Sequence, residues 1–473
     1  YGMRGDFDAR AVSAADRAGY GAAFSAIYGT NGLQSNPFSF RRISIEASDT
    51  PFTFKAKLNG ALALLSFFHI PFLKKWMGGL DQLFFKSSTR GGRRLSSPLL
   101  LVSVDFPPHT DGVSTISGQL SARIARKGRE FLVIGPSDKG DQKFDVAQPY
   151  HVLRVPGYEW GYGRFLSLLL TTPWAVLRYK VRKAFAMNIA YGGVLCWALS
   201  LFTPLEYLIF AYGYEFEKVG KNPWAKKLYL SIYRRAKKII TCSRLVKDRL
   251  IQFGAPPEKI EVLYPAVDLE RFYPCHVPAE FLTKKGLSGR RILLTVGRLV
   301  ERKGHDQVLK ALSLIVRQFP DLLYCIVGIG PHREALEKQI RAAGLEKHVC
   351  FLGKVPAEEL AFLYNACEIF IMPSREISDG GHIEGFGIVY LEANACGKPV
   401  IGGRSGGVPE AIQDGETGFL VDPENPKEIA NRISELLLDP GRAKAMGGQG
   451  LRWVRGNFNW DEYAKQAYRW LCE

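Results

Sequence analysis

The sequence predicts an α/β protein built from two doubly wound parallel-sheet domains in series, with a cleft between them. Three observations carry that prediction. The chain has 473 residues, too many for one ordinary core, and its 47% hydrophobic and 23% charged residues are those of a globular protein. From residue 98 onward, short apolar runs alternate with longer amphipathic stretches, the rhythm of strand, helix and parallel strand. The rhythm breaks at the proline-rich "YPAVDLERFYPCHVPAE" (264–280) and then restarts.

Residues 1–94 show no periodic pattern, and "RGGRRLSS" (90–97) reads as a linker. "PLLLVSVDF" (98–106) is then a buried strand, "GVSTISGQLSARIARKG" (112–128) an amphipathic helix ended by its glycine, and "EFLVIGP" (130–136) the next strand. "GGVLCWALSLFTPLEYLIF" (192–210) is long and apolar but carries Pro204 and Glu206, so it reads as helix, turn and strand rather than a membrane span. "EYLIFAY" (206–212) and "AKKIITCS" (236–243) are strands of the first half. "RILLTVGRL" (291–299), "LLYCIVGIG" (322–330), "VCFLG" (349–353), "CEIFIMPS" (367–374) and "KPVIGG" (398–403) are those of the second. In such sheets a ligand binds beyond the strand C-termini.

The formal net charge is +17, and residues 151–260 hold 18 Lys/Arg against six Asp/Glu. Arg178, Lys180, Arg182 and Lys183 form one cluster; Lys226, Lys227, Arg234, Arg235, Lys237 and Lys238 form another. Such charge suits nucleic acid, an anionic membrane surface or a merely solvated face. The apolar "RFLSLLLTTPWAVLRYKVRK" (164–183), with Trp174 and a basic end, favours an interfacial helix on an anionic membrane over nucleic acid. The eight cysteines include no C-x-x-C pair, which predicts reduced core thiols, no zinc site and a cytoplasmic protein.

The strand ends of the second half carry the chemistry. After the first of them, "VGRLVERKGHD" (296–306) offers Arg298 and Lys303, a guanidinium fork and a point charge able to reach a diphosphate. "GIGPHRE" (328–334) is G-x-G-x-x-R, short of the full dinucleotide fingerprint, and no acidic residue about 20 positions on takes the ribose role. "GRSGGVPEAI" (403–412) is another glycine turn into a helix. The most informative stretch is "EGFGIVYLE" (384–392). On one helix its two glutamates would stand roughly 80° apart, at a cost of about 1 kcal/mol for each glycine inside it. Alternatively the glycines form a turn and the helix starts near Ile388, with Glu384 before it and Glu392 on its second turn. The N–H groups of Phe386–Val389 then offer a seat for phosphate, flanked by carboxylates suited to sugar hydroxyls. A solvated helix start is the plainer reading of this stretch alone.

Taken together, "VDLERF" (267–272), "GRLVERKG" (297–304), "GIGP" (328–331), "EGFGIVYLEANACGKPVI" (384–401) and "GETGFLVDPENP" (415–426) resemble the family 4 glycosyltransferases, retaining enzymes of the GT-B fold, from about residue 98 to the end. The wording "GIVYLEANACGKPVIGG" is most similar to bacterial phosphatidylinositol-type mannosyltransferases. The resemblance implies an N-terminal acceptor-side domain over 95–275, a donor domain over 276–456, and a helix over 457–473 that crosses back. It implies that Glu392 holds the ribose diol and Glu384 the hydroxyls of the donor sugar. Arg298 and Lys303 would neutralise the leaving diphosphate, so that no metal or other cofactor is expected. The backbone at Gly385, Phe386, Gly387, Ile388 and Val389 would face phosphate or sugar, and Gly112, in an Asp-Gly-Val turn, would close on the diphosphate from the first domain. One departure stands out: Tyr212 occupies a position where many relatives have a histidine beside the donor sugar. His109 lies in the same implied cleft and reads equally as a loop histidine.

The implied reaction moves a hexosyl group, mannose or a related sugar, from a nucleotide-diphosphate sugar to a hydroxyl of a lipid-linked or glycan acceptor, at the cytoplasmic face of a membrane. The competing readings are an epimerase or phosphorylase of the same fold, and a membrane-docking nucleotide binder without transfer activity. No pyridoxal lysine stands out for a phosphorylase. The intact set Arg298, Lys303, Glu384 and Glu392 speaks against a degenerate donor site. The base, the sugar, the acceptor, the role of residues 1–94 and the oligomeric state are not encoded in these motifs.

Overall fold

The computed structural model describes residues 97–473 except 110–111, 139, 156–161, 214–218, 220–221 and 378–382, and before them two short parallel strands, β1 (Phe24–Tyr28) and β2 (Phe40–Arg42). The rest of the segment 1–94, most of its linker, and Asp111 of the Asp-Gly-Val turn lie outside the described residues.

Both expected α/β domains are present. The first sheet holds β3 (Leu99–Val102), β4 (Phe131–Pro136), β5 (His151–Val155), β6 (Lys183–Ala186), β7 (Glu206–Ala211), β8 (Lys238–Thr241) and β9 (Ile260–Val262). All pair in parallel, in the order β5-β4-β3-β6-β7-β8-β9, so the winding reverses between β3 and β6. Every residue of β3 and β4 is buried, the pattern of strands covered on both faces. The longer helices between them are α1 (Gly112–Arg126), α2 (Tyr162–Arg178), α3 (Val194–Ser200), α4 (Pro223–Arg235) and α5 (Arg244–Phe253). Helix α1 turns Ser114, Ile116, Ser117, Leu120, Ser121 and Ile124 inward, a helical stripe in which the serines allow close approach to the sheet.

Helix α2 narrows an expectation. The apolar stretch 164–183 is not one interfacial helix. The helix ends at Arg178, a turn follows, and Lys183 opens β6. Leu168, Trp174, Ala175 and Val176 are buried, and the helix packs on β4, β5 and α3. Part of its apolar face is thus used by the domain's own core, as a helix covering a two-sided parallel sheet requires, while Leu177 stays exposed. Among the described residues no helix is long and apolar enough to cross a membrane.

The second sheet holds β10 (Arg291–Val296), β11 (Leu322–Val327), β12 (Val349–Gly353), β13 (Ile369–Met372), β14 (Val400–Gly403) and β15 (Gly418–Val421). The order is β12-β11-β10-β13-β14-β15, again all parallel, with the reversal between β10 and β13. Its helices are α6 (His305–Ile315), α7 (Arg333–Ala343), α8 (Ala357–Ala366), α9 (Ile388–Ala395), the single turn α10 (Val408–Ala411), α11 (Pro426–Leu438) and α12 (Pro440–Asn457). Each sheet has its own core of aliphatic and aromatic side chains.

The last helix, α13 (Trp460–Cys472), belongs to the core of the first sheet. Asn459 caps it, and Trp460, Tyr463, Ala464, Ala467 and Leu471 pack among Leu120, Phe185 and Leu208. Two lysines of the basic clusters secure its end: Lys183 Nζ donates to the carbonyls of Leu471 (3.2 Å) and Cys472 (3.0 Å), and Lys237 Nζ to that of Leu471 (3.1 Å). Cations at a helix C-terminus satisfy unpaired carbonyls and the helix dipole. Part of the positive charge is therefore structural.

Candidate active site

The reversal between β10 and β13 opens a crevice at the strand C-termini, where open α/β sheets bind ligands. Both catalytic segments expected from the sequence leave the sheet there. After β10 the chain runs through Gly297 and the exposed Arg298 into a single turn, Glu301–Lys303. After β13 it returns to Glu384 and enters α9 at Ile388. The glycine-turn reading of "EGFGIVYLE" is therefore the observed one. Gly387 has φ 94°, and a Cβ there would lie 2.5 Å from the Tyr390 ring, so glycine is required twice over.

The crevice brings Lys303 and Glu384 together. Lys303 Nζ stands 2.5 Å from Glu384 Oε2, and Arg302 Nη1 donates to the same oxygen at 2.8 Å. Burial by itself would raise the Glu384 pKa, but the charges and hydrogen bonds of Lys303 and Arg302 outweigh it and hold the carboxyl at about 2. Burial pulls the Lys303 ammonium below its ordinary range, with Glu384 opposing. The buried Arg375 makes a fork to Asp306 (2.8 and 3.1 Å) and reaches Glu301 (3.2 Å), which ties the β13 exit to the Glu301–Lys303 turn.

Glu392 sits on the second turn of α9 in a different environment. Its Oε2 accepts a hydrogen bond from the Tyr364 hydroxyl at 2.6 Å. Burial raises its pKa to about 7, against the pull of Tyr364 and Arg271 and with Asp268 adding to the rise. One short helix thus carries a firmly ionised carboxylate at its entrance and one poised near neutrality on its second turn.

The first domain closes on this segment. An added Cβ at Gly385 would lie 3.0 Å from the Tyr212 carbonyl oxygen and 3.1 Å from Cys242 Sγ, and one at Gly112 would touch Ile388 Cδ1 at 4.0 Å. Tyr212, whose ring packs on the first-domain core, and Gly112 therefore meet the α9 entrance. The Phe386 ring is buried, against Tyr264 (5.6 Å between centroids) and Phe458 (6.0 Å), so only its backbone is available to a ligand. Val389 follows on the first turn of α9. His109 lies 3.9 Å from Asp138 on the first domain. Glu410 of α10 crosses to the N-terminus of α5: it accepts from the N–H groups of Arg244 (2.8 Å) and Leu245 (3.1 Å) and from the Tyr264 hydroxyl (2.9 Å). Arg249 and Glu376 make a second bridge at 2.6 Å.

Sequence reasoning missed Arg302, Arg375, Tyr364 and Glu410. Arg302 was within reach, being next to Lys303. The others gain meaning only through partners in distant segments.

Residues 110–271 match the family model described as Glycosyltransferase Family 4, and residues 279–453 the one described as Glycosyl transferases group 1. The GDP-mannose-dependent alpha-(1-6)-phosphatidylinositol monomannoside mannosyltransferase of Mycolicibacterium smegmatis is 34% identical over 377 residues, covering 76% of this chain and 95% of that protein. The chain belongs to the family 4 glycosyltransferases. A GDP-mannose-dependent monoacylated alpha-(1-6)-phosphatidylinositol monomannoside mannosyltransferase of Corynebacterium glutamicum is 30% identical, covering 77% of this glycosyltransferase and 95% of its own length. Among solved structures, sucrose-phosphate synthase from Thermosynechococcus elongatus superposes with a TM-score of 0.67 at 24% identity, over 79% of this chain and 98% of that one. Anabaena Alr3699/HepE in complex with UDP-glucose gives 0.65 at 20% identity, over 79% and 98%. The fold of this glycosyltransferase is GT-B, and the enzyme is a hexosyltransferase that uses a nucleotide sugar.

Proposed function

We propose that this glycosyltransferase moves mannose from GDP-mannose to a hydroxyl of a phosphatidylinositol-type lipid, with retention at the anomeric carbon. The observation that carries the reading is the coincidence of two things. The similarity spans 95% of a mannosyltransferase with that donor and acceptor class in its name, and Lys303 pairs with Glu384 where the chain leaves the second sheet, with Glu392 following on the second turn of α9.

In this reading Glu392 takes the ribose diol and Glu384 the hydroxyls of the sugar. The N–H groups at Phe386–Val389 face the diphosphate, with Gly385 and Gly387 allowing its approach, and Gly112 and Tyr212 close the site from the other domain. Arg298 and Lys303 neutralise charge on the departing diphosphate, where pre-placed cations in a water-poor site are worth most. Lys303 must then turn part of its charge from Glu384 to the phosphate; Arg302 keeps Glu384 ionised while it does so. The acceptor hydroxyl attacks from the face the diphosphate leaves, and positioning supplies much of the rate.

The lipid acceptor implies docking on an anionic surface. The cluster Arg178–Lys183 precedes β6 and so lies at the sheet edge opposite the crevice, where docking would turn the site away from the bilayer. Trp224, 80% exposed, and the exposed Lys227 lie at the start of α4, which follows the C-terminal end of β7 on the crevice side. Docking is assigned to that rim.

A thermal-shift screen with GDP, UDP, ADP and NAD tests the donor reading. GDP at 100-fold over its Kd should stabilise the fold by about 2.7 kcal/mol. Stabilisation by NAD and by none of the nucleoside diphosphates would overturn it.

A further inference from the structure

Tyr364 is buried on α8, 28 residues before Glu392 in sequence, and its hydroxyl donates to Glu392 Oε2 at 2.6 Å. The ring is fixed by Phe272 at 5.5 Å, edge-on, and by Phe370 at 5.7 Å. Such a short bond between a buried tyrosine and a half-buried carboxylate on separate helices is a built arrangement.

We infer that Tyr364 is a positioning residue for the nucleotide: its hydroxyl aims the Glu392 carboxylate and favours its ionised form, so that the carboxylate can accept both hydroxyls of a ribose. The inference rests on the reading of Glu392 as the ribose ligand. A vicinal diol offers two donors. An ionised carboxylate has about four acceptor positions, of which Tyr364 uses one, whereas a protonated carboxyl carries a competing donor. A hydrogen bond donated to the charged form lowers a carboxyl pKa, so removing the hydroxyl raises it.

The other groups facing Glu392 do not substitute for Tyr364. Arg271 favours the charged form, and Asp268 in the same segment opposes it. Cys396 lies one turn on in α9 and Cys367 beyond the end of α8. Burial pushes both thiols up, Cys367 to about 12, so both stay neutral. Tyr364 itself is driven well above its ordinary value, first by burial and then by Glu392, and remains a donor at every working pH.

The test is the affinity of the full chain for GDP-mannose by calorimetry between pH 6 and 8.5, in the wild type, Tyr364→Phe and Glu392→Gln. GDP-mannose is chosen because its diphosphate, esterified at both ends, does not titrate in that window. The wild type should lose affinity on the acid side with a midpoint near 7, as the Glu392 pKa dictates. Tyr364→Phe should match it at pH 8.5 within about threefold and move the midpoint up by about one unit, weakening binding at pH 7 roughly fivefold. Glu392→Gln should be weak and flat. An unmoved midpoint in Tyr364→Phe, with Glu392→Gln weak, overturns the inference and leaves the ribose reading standing. Wild-type affinity in Glu392→Gln overturns the ribose reading itself. Should Tyr364→Phe not fold, wild-type enzyme labelled with ¹³Cζ-tyrosine gives the same answer. The Tyr364 resonance should titrate with the midpoint of the affinity curve, and its failure to titrate contradicts the inference.

Discussion

Glu384 and Glu392 are the same residue type, eight positions apart, in opposite electrostatic states. The Glu384 pKa is depressed, so its ion pairs stabilise the fold above the ordinary carboxylate range and that contribution fades only as pH falls toward 2. Glu384→Gln leaves Lys303 buried without its carboxylate and should cost about 3 kcal/mol in urea unfolding at pH 7, besides lowering turnover more than nucleotide affinity. The Glu392 pKa is raised, so the native state holds a proton that the unfolded chain has released between about 4.5 and 7, and wild-type stability falls as pH rises through that window. Ligand-free Glu392→Gln should therefore melt above the wild type at pH 8 and level with it near pH 4.5. An equal melting difference at both values would remove the account of Glu392. Arg298→Ala and Lys303→Ala should each weaken GDP binding by about 1.5–3 kcal/mol, as charge-assisted bonds do. Unchanged affinity in both would sink their assignment. The two glutamates were legible because their meaning lies in one short run with its glycines. Arg302 bonds across 82 residues and Arg244 across 166, and no local pattern encodes such pairings.

Helix α9 keeps its place because α12 packs on it closely, and glycines set the distance. An added Cβ at Gly447 would fall 2.0 Å from the Gly397 carbonyl oxygen, a clash with backbone that cannot swing away. At Gly448 the nearest atom is the end of Arg452, at 3.8 Å. Alanine improves an open helical site by roughly 0.5–1 kcal/mol, whereas overpacking costs about 1–3 kcal/mol. Gly448→Ala should thus stabilise the protein and Gly447→Ala destabilise it in chemical denaturation; the same sign for both would refute this packing account. The strands that frame the crevice were legible as apolar runs with glycine turns. β5, β6, β9 and β15 were not, being three to five residues long and set among polar or helical-looking neighbours. The bounds of the helix in 164–183 were illegible for the same reason: nothing local marks its end at Arg178 and the start of β6 at Lys183.

Among the described residues, the polar contacts that join the two sheets around the candidate site include Glu410 on the start of α5 and the Arg249–Glu376 pair. A carboxylate at a helix N-terminus is a favourable but local attachment, suited to release and re-formation. Glu410→Ala should enlarge the ligand-free enzyme in small-angle scattering, and GDP should restore part of the compaction; an unchanged radius of gyration would show that this contact does not hold the domains. On anionic vesicles, Trp224→Ala combined with Lys227→Ser should weaken salt-sensitive sedimentation, while Arg178, Lys180 and Arg182 changed to Ser should leave it near wild type. The opposite ranking would place docking on the far pole. The central claim is transfer itself. The most direct measurement incubates the full chain with GDP-mannose and vesicles containing phosphatidylinositol monomannoside, and reads the lipid by mass spectrometry and the new linkage by NMR. The account predicts one added hexosyl unit in α-linkage and release of GDP. An unmodified lipid under conditions where GDP-mannose is bound, or a β-linked product, would contradict it.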